Sequence, residues 1–337
     1  MDNIHVLVLY RTRAEERVLA MLRRVSSRLV VEARADRDAD KIDDLWRTVE
    51  VLYTDDPLPP GEGSAPNLRW IQGNYAGVDR WGRLPVTQPY VWTTTSGIHG
   101  HVAELALTLM LAFAHKFPLI LENQKTAGWP EDRFERFEPY ELRESTVGVV
   151  GYGAIGRQVG YLCRAFGMRV LAADRPEVLA SEPAWKLPGT PSVAEARPDR
   201  LYSPTELPSL LAESDYVVLC VPYTPETHGL INADTLAKMK ASAVLINVAR
   251  GNVVDEAALI EVLKAGRIRG AGLDVYSEEP LPPSSPLWKL PNVIACPHVA
   301  GFSPHYFDRA MALFAENLRR YVSGEPLLNV VQKERGY

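Results

Sequence analysis

The sequence predicts an α/β protein of two doubly wound parallel-sheet domains. Three observations carry that expectation. The 337 residues suffice for two domains, since domains commonly run ~100–200 residues. The stretch up to Thr94 alternates short apolar runs with helix-like segments, as a parallel sheet requires. From Thr146 a strand–turn–helix–strand unit begins afresh, so a second sheet starts in mid-chain.

In the first domain, Ile4–Tyr10 is a short apolar run and reads as a buried strand. Ala14–Val25 spaces Val18, Leu19, Leu22 and Val25 as one helix face. Leu29–Val31 is the second strand, Ala39–Leu45 is polar and helix-like, and Val49–Tyr53 is the third strand. The stretch from Asp56-Pro57 to Pro66 is rich in Pro and Gly and reads as loop. Leu68–Gln72 and Tyr90–Thr94 complete the strands. His101–Phe117 is a long apolar helix. Asn123–Ser145 is charged and aromatic with little periodicity. It reads either as an arm packed on another subunit or as a surface loop.

In the second domain, Thr146–Val150 and Met168–Ala173 are β-runs either side of a helix. Arg175–Pro204, with many prolines, reads as an irregular excursion. Thr205–Ala212 is a helix and Asp215–Val221 a strand. Asn232 N-caps a helix over Ala233–Met239, and Asp255 caps Glu256–Ala265. Ala243–Val248, Gly270–Val275 and Val293–Ala295 are strands. Pro304 opens a last amphipathic helix to Tyr321, which has no place in this sheet and is expected back on the first domain.

The chemistry starts at Gly151-Tyr152-Gly153-Ala154-Ile155-Gly156. Gly151 permits a tight turn, Gly153 lets backbone approach a pyrophosphate, and Gly156 lets the helix pack against the strand. The helix N-terminus offers N–H groups to phosphates. Asp174 follows near the ~20-residue spacing of a carboxylate that bonds ribose hydroxyls. Strand, turn, helix, strand and acid fall in order, so a dinucleotide site is expected rather than a merely structural turn. Asp174 favours NAD, because a carboxylate repels the 2′-phosphate of NADP; Arg175 beside it can turn toward that phosphate, which keeps NADP open.

Three polar residues follow strands of the second domain: Arg250 after Val244–Ala249, Glu279 after Gly272–Val275, and His298 after Ile294–Pro297. Loops at the carboxyl ends of such strands line the ligand crevice. A histidine can pass a proton near neutral pH. A carboxylate beside it raises its pKa and fixes the ring, and a guanidinium pairs with an α-keto carboxylate in fork geometry. Each also has a bland reading: a surface ion pair for Arg250, a solvated turn for Glu279, a satisfied carbonyl for His298.

Thirty-seven basic against forty-two acidic residues give a net charge of −5, with no long basic run, which argues against nucleic acid. Cys163, Cys220 and Cys296 are far apart. They suit reduced thiols rather than a disulfide framework or a metal site, and no metal is expected. The start, Met1-Asp2-Asn3-Ile4-His5, lacks the marks of a signal peptide. The longest apolar run, Leu105–Ala114, is too short for a bilayer. A cytoplasmic protein without a membrane partner is the expectation.

Together these residues resemble the D-isomer-specific 2-hydroxyacid dehydrogenases, from about Leu68 to Gly301. The resemblance rests on the dinucleotide turn, Val221-Pro222-Tyr223-Thr224-Pro225-Glu226-Thr227, Ile246-Asn247-Val248-Ala249-Arg250-Gly251, Gly272–Pro280 and Pro297-His298-Val299-Ala300-Gly301, in that order. It implies NAD(P)-dependent exchange of a hydride between a 2-keto acid and a D-2-hydroxy acid, with Arg250 holding carboxylate and carbonyl, His298 as acid/base and Glu279 as its partner. It also implies that Val221, Pro222, Thr227, Val248, Ala249, Arg250, His298 and Gly301 line the dinucleotide, and that Asp274 lies near the nicotinamide carboxamide. Asn74-Tyr75-Ala76-Gly77-Val78-Asp79 resembles the family's substrate loop, with Tyr75 where glycine is common; the ring either narrows the pocket or faces solvent. Ser96–Glu104 resembles the hinge into the linking helix.

The family fold implies a flavodoxin-like substrate domain over 1–99 and 303–337. It implies a Rossmann cofactor domain over 100–302, a catalytic cleft between the two, and homodimer contacts at about 101–145. Substrates of the glyoxylate/hydroxypyruvate or phosphoglycerate type are expected, with selectivity from residues such as Tyr75, His305, Tyr306 and Trp288. Two alternatives share the scaffold: a phosphite-type dehydrogenase, and a dinucleotide-sensing regulator resembling certain co-repressors. Formate enzymes carry Gln where Glu279 stands.

Overall fold

The computed structural model describes residues 3–11, 14–56, 58–59, 63–79 and 90–332. Part of the loop expected between Asp56 and Pro66, namely Pro57 and residues 60–62, lies outside them. The chain divides into two compact units. One comprises Met1–Ile98, Ala184–Leu187 and Ser303–Tyr337; the other comprises His99–Pro183 and Pro188–Phe302.

The first unit holds five strands: β1 (Ile4–Tyr10), β2 (Leu29–Ala35), β3 (Val51–Thr54), β4 (Trp70–Gly73) and β5 (Val91–Thr93). They form one parallel sheet in the order β2-β1-β3-β4-β5, the flavodoxin-like order. Successive side chains of β1 alternate between two apolar layers. Val6 and Val8 join the cluster under helix Glu16–Arg23 and the closing helix Tyr306–Ser323, while Leu7 and Leu9 face Trp46 of helix Asp43–Thr48. That double burial is why β1 reads as a continuous apolar run. β2 is an edge strand, half-exposed at every second residue. Its Glu32 and Arg34 pair at 2.9 Å, so it extends four residues beyond the apolar Leu29–Val31 that marks it in the sequence. Phe314 of the closing helix packs on the rings of Tyr53 and Trp70, and Gly324 ends that helix at φ 69°.

The second unit holds β6 (Thr146–Val150), β7 (Arg169–Ala173), β8 (Arg200–Tyr202), β9 (Tyr216–Leu219), β10 (Val244–Asn247), β11 (Gly270–Leu273) and β12 (Val293–Ala295). All are parallel, in the order β12-β11-β10-β9-β6-β7-β8. Counted within the unit this is the Rossmann order, extended by one strand. Helices Gly100–Ala114 and Ala154–Ala165 cover one face and Leu207–Glu213 and Glu256–Lys264 the other. Asn232 and Asp255 cap their helices as expected, Asn232 accepting from the Asp234 and Thr235 N–H and Asp255 from that of Ala258.

Three features differ from the sequence reading. The single helix expected over His101–Phe117 breaks at Lys116, which is left-handed at φ 52°, and resumes as Phe117–Lys125 with Pro118 in its first turn. The 123–145 arm adds a short helix, Arg133–Arg136. The excursion after Asp174 is more ordered than its prolines suggest. It forms helix Pro176–Ala180 and then places Trp185 and Leu187 on the apolar layer of the first unit; it ends as strand β8. Among the described residues no single helix is long and apolar enough to cross a membrane.

Candidate active site

The three glycines of the dinucleotide turn have different surroundings. Gly151, at φ 88°, lies against the β9 end, where a Cβ would stand 2.7 Å from the Val221 nitrogen. A Cβ on Gly156 would stand 2.1 Å from the Gly151 carbonyl oxygen. At Gly153 a Cβ would meet nothing within 4 Å. Two glycines are thus required by the protein's own packing, and the third leaves open space at the N-terminus of helix Ala154–Ala165. That combination fits a dinucleotide pyrophosphate over the turn. Ala154 and Ile155 form the first helical residues there. Asp174, at the end of β7, accepts the N–H of Tyr152 from within the turn and that of Arg175, both at 2.7 Å.

The loop after β9 runs beside Gly151. Within it the Thr227 hydroxyl accepts the Thr224 N–H at 2.8 Å and donates to the Pro222 carbonyl at 2.7 Å, which fixes Val221 and Pro222 next to the turn. Val248 and Ala249 are buried at the end of β10.

The catalytic candidates sit on the next loops of the same sheet edge. His298 Nδ1 lies 2.6 Å from Glu279 Oε2, and the Tyr276 N–H donates to Glu279 Oε1 at 3.0 Å. The carboxylate is thereby held at both oxygens. Its hydrogen bond holds the His298 pKa above the usual imidazole value, against the opposing effects of partial burial and the Arg250 charge. Burial pushes Glu279 up, but the bond from His298, the Tyr276 N–H and the nearby cationic charge outweigh it and leave the pKa lowered. Arg250, partly buried, donates from Nη1 to the Ala249 carbonyl at 2.8 Å, and its charge is felt by both partners. A proton carrier, its orienting carboxylate and a guanidinium therefore share one neighbourhood in this unit.

His298 is left-handed at φ 52°, a conformation that costs an L-residue about 1–2 kcal/mol. Asp274 supports it. This carboxylate, 1% exposed, accepts the Val299 N–H at 2.8 Å and the Ala300 N–H at 2.9 Å. Burial raises its pKa, and those two N–H bonds oppose the rise. The carboxylate expected near the nicotinamide carboxamide thus also pins the His298 turn. Gly301 closes that turn, its carbonyl 2.8 Å from His101 Nε2.

In the first unit, Asn74 is held from several sides: its side chain bonds Tyr53 and Asp55, and its carbonyl accepts from the Thr95 and Tyr306 hydroxyls. The Tyr75 hydroxyl accepts from Arg11 Nη2 at 3.2 Å, and the residue is half-buried. Ala76 and Gly77 follow, half-buried. Among the other selectivity candidates, His305 is at the start of the closing helix and Tyr306 is anchored on Asn74, while Trp288 belongs to the second unit and is 49% exposed.

Residues that sequence reasoning passed over complete the site. Asn247 shapes the turn that presents Arg250, accepting the Ala249 N–H and donating to the Arg250 carbonyl, both at 3.0 Å. Gly251 lies so close to the Tyr276 carbonyl that a Cβ would stand 1.8 Å from it, which locks the Arg250 loop to the Glu279 loop. His99 is buried beside Arg250; burial first, then His101 and Arg250, push its pKa down to about 3, so it stays neutral there. Among the described residues no group of His, Cys, Asp or Glu is arranged to hold a metal.

The NAD-binding domain of the D-isomer specific 2-hydroxyacid dehydrogenases matches residues 107–300. A glyoxylate/hydroxypyruvate reductase B of Pectobacterium carotovorum is 38% identical over 280 residues, covering 80% of this chain and 81% of that protein. A D-3-phosphoglycerate dehydrogenase of Archaeoglobus fulgidus is 36% identical over 80% of this chain; the chain spans about half, 48%, of that relative's length. A solved D-isomer specific 2-hydroxyacid dehydrogenase of Xanthobacter autotrophicus Py2, in complex with NADPH and MES, aligns over the full length of both chains with 30% identity and a TM-score of 0.79. This chain belongs to the D-isomer specific 2-hydroxyacid dehydrogenase family, NAD(P)-dependent oxidoreductases that act on the CH–OH group of 2-hydroxy acids.

Proposed function

We propose that the protein interconverts a short 2-keto acid and its D-2-hydroxy acid, of the glyoxylate/hydroxypyruvate type. The observation that carries this reading is the His298–Glu279 pair at 2.6 Å, under the charge of Arg250 and on the sheet edge that bears the open Gly153 turn. A bound nicotinamide dinucleotide supplies or takes the hydride. In the reducing direction His298 gives its proton to the forming alkoxide oxygen. Glu279 holds Nδ1, so Nε2 is the nitrogen that faces substrate, and the carboxylate stabilises the charged ring. Arg250 pairs with the substrate carboxylate and with charge developing on the carbonyl oxygen.

NAD is the dinucleotide favoured by Asp174, with NADP taken through Arg175 as the alternative. The working form is proposed to be a cytoplasmic homodimer. Its free, widely spaced cysteines suit a reducing compartment. The stretch that follows the linking helix exposes Phe117, Leu121, Trp129 and Phe134, at 50%, 52%, 85% and 76%, large apolar side chains that a subunit contact would cover.

The test is a panel: purified protein with NADH or NADPH and glyoxylate, hydroxypyruvate or pyruvate, and with phosphite in the oxidising direction, followed by nicotinamide absorbance. Turnover of a 2-keto acid supports the proposal. Phosphite oxidation alone, or tight dinucleotide binding without any turnover, contradicts it.

A further inference from the structure

Tyr276 touches the loops that carry Arg250, Glu279 and His298. It lies just past β11, buried, with its ring in the apolar layer that also holds Leu273 and Leu287. Its N–H donates to Glu279 Oε1 at 3.0 Å. Its hydroxyl donates to the Cys296 carbonyl at 2.8 Å and to the Leu273 carbonyl at 3.0 Å. Its own carbonyl abuts Gly251, next to Arg250. β12 ends at Ala295, so the Cys296 carbonyl lies beyond the paired residues of the ladder, and its bond comes from the phenol rather than from a neighbouring strand. Pro297 follows with no N–H to donate, and His298 then turns left-handed. Asp274 holds that turn through Val299 and Ala300. The peptide that carries His298 is thus fixed before the imidazole by Tyr276 and after it by Asp274.

We propose that Tyr276 is the positioning residue of the His298–Glu279 pair, holding the imidazole and the carboxylate in register through its two ends. This rests on the roles given to those two residues in the proposed function. The N–H of Tyr276 fixes the carboxylate, and its hydroxyl fixes the chain two residues before the imidazole. The rigid ring between these attachments maintains the 2.6 Å approach of Nδ1 to Oε2. Phenylalanine would fill the same apolar space and keep the N–H bond, but the Cys296 carbonyl would lose the phenol. A carbonyl deprived of its donor shifts toward another partner, and the end of β12 moves the imidazole with it. Misplacing a reacting group by about 1 Å costs about 100-fold in rate. The charges that face His298, those of Glu279, Arg250 and Asp274, are unchanged by the substitution, so a change in its titration reports geometry. Burial, with Cys296, Asp274, Glu279 and Glu256 near it, raises the pKa of the phenol, which therefore remains a donor.

The experiment compares Tyr276→Phe with the wild type in glyoxylate reduction, with a thermal melt of each. The variant is expected to lose about tenfold in kcat while its KM for NADH stays within about twofold. The alkaline limb of its kcat/KM profile should move toward lower pH, because a loosened carboxylate favours the charged ring less. Added to Glu279→Gln, the same change should move the limb no further. A purely structural residue lowers the folded fraction and leaves the limb in place; that result, or a wild-type kcat in Tyr276→Phe, overturns the inference. Titration of the His298 ring by NMR, its signal assigned by its loss in His298→Gln, needs no turnover. A lower His298 pKa in Tyr276→Phe supports the inference, and an equal one overturns it. A wild type that reduces no 2-keto acid contradicts the proposed function, and the NMR titration then still decides the role of Tyr276.

Discussion

Glu279 grips His298 with one oxygen and its own loop with the other: Oε2 is 2.6 Å from His298 Nδ1, and Oε1 accepts the Tyr276 N–H at 3.0 Å. The imidazole is therefore oriented by a group that cannot itself swing, and the charged form of the ring is favoured.

That pairing sets a pH dependence. In the proposed mechanism reduction uses protonated His298, so activity is expected to fall as pH rises through its pKa. The pKa is raised, so the loss comes later than for an ordinary imidazole. Glu279→Gln removes the charge and moves the limb toward lower pH, with kcat reduced about 10- to 100-fold. Profiles of kcat/KM against pH for the two proteins check this; an unmoved limb counts against the assigned roles.

Arg250 is predicted to be irreplaceable by lysine. An ammonium carries the charge but not the planar fork, so Arg250→Lys should lower kcat/KM about 10- to 100-fold without altering the melting temperature appreciably. Steady-state kinetics with the best 2-keto acid, alongside a thermal melt, read both quantities.

The dinucleotide turn permits a separation of folding from binding. Gly151→Ala and Gly156→Ala drive a Cβ into backbone atoms, and each should destabilise the protein by about 2 kcal/mol or more. Gly153→Ala meets open space in the protein and should keep its fold, yet should weaken dinucleotide binding, because the added methyl would crowd a pyrophosphate over the turn. Thermal melts and fluorescence titration with NADH distinguish the three. A Gly153→Ala protein with undiminished affinity would place the pyrophosphate elsewhere.

The exposed apolar residues after the linking helix make a prediction about assembly. Leu121→Glu combined with Phe134→Glu should convert a dimer into monomers of 37.5 kDa chain mass, measured by light scattering at several concentrations. A wild type already monomeric at high concentration would refute the homodimer.

Much of this was legible in the sequence, for physical reasons that differ by element. β1 and β6 lie under helices on both faces, so their apolar runs stand out. β8 did not, because it is a three-residue edge strand in which only Tyr202 is fully buried, set among prolines. The break at Lys116 has a visible cue in Pro118, but the apolar pattern runs on either side of it and masks the turn. Arg250, Glu279 and His298 could be nominated because strand ends announce themselves along the chain. Their supports could not. The bond from Tyr276 to Glu279, the hold of Asp274 on Val299 and Ala300, and the contact of Gly251 with Tyr276 join loops whose adjacency exists only once the sheet order is known. The Arg11–Tyr75 contact is hidden for the same reason, since its partners are far apart in sequence and meet through the β2-β1-β3-β4-β5 winding.

The central claim is that His298 delivers the proton that accompanies hydride transfer. Its most direct test is a single-turnover measurement of nicotinamide oxidation with saturating glyoxylate, in the wild type and His298→Gln. The account predicts hydride transfer slowed about 10²- to 10⁴-fold in the variant, with dinucleotide affinity of the same order in both proteins. Equal transfer rates in the two proteins would contradict it.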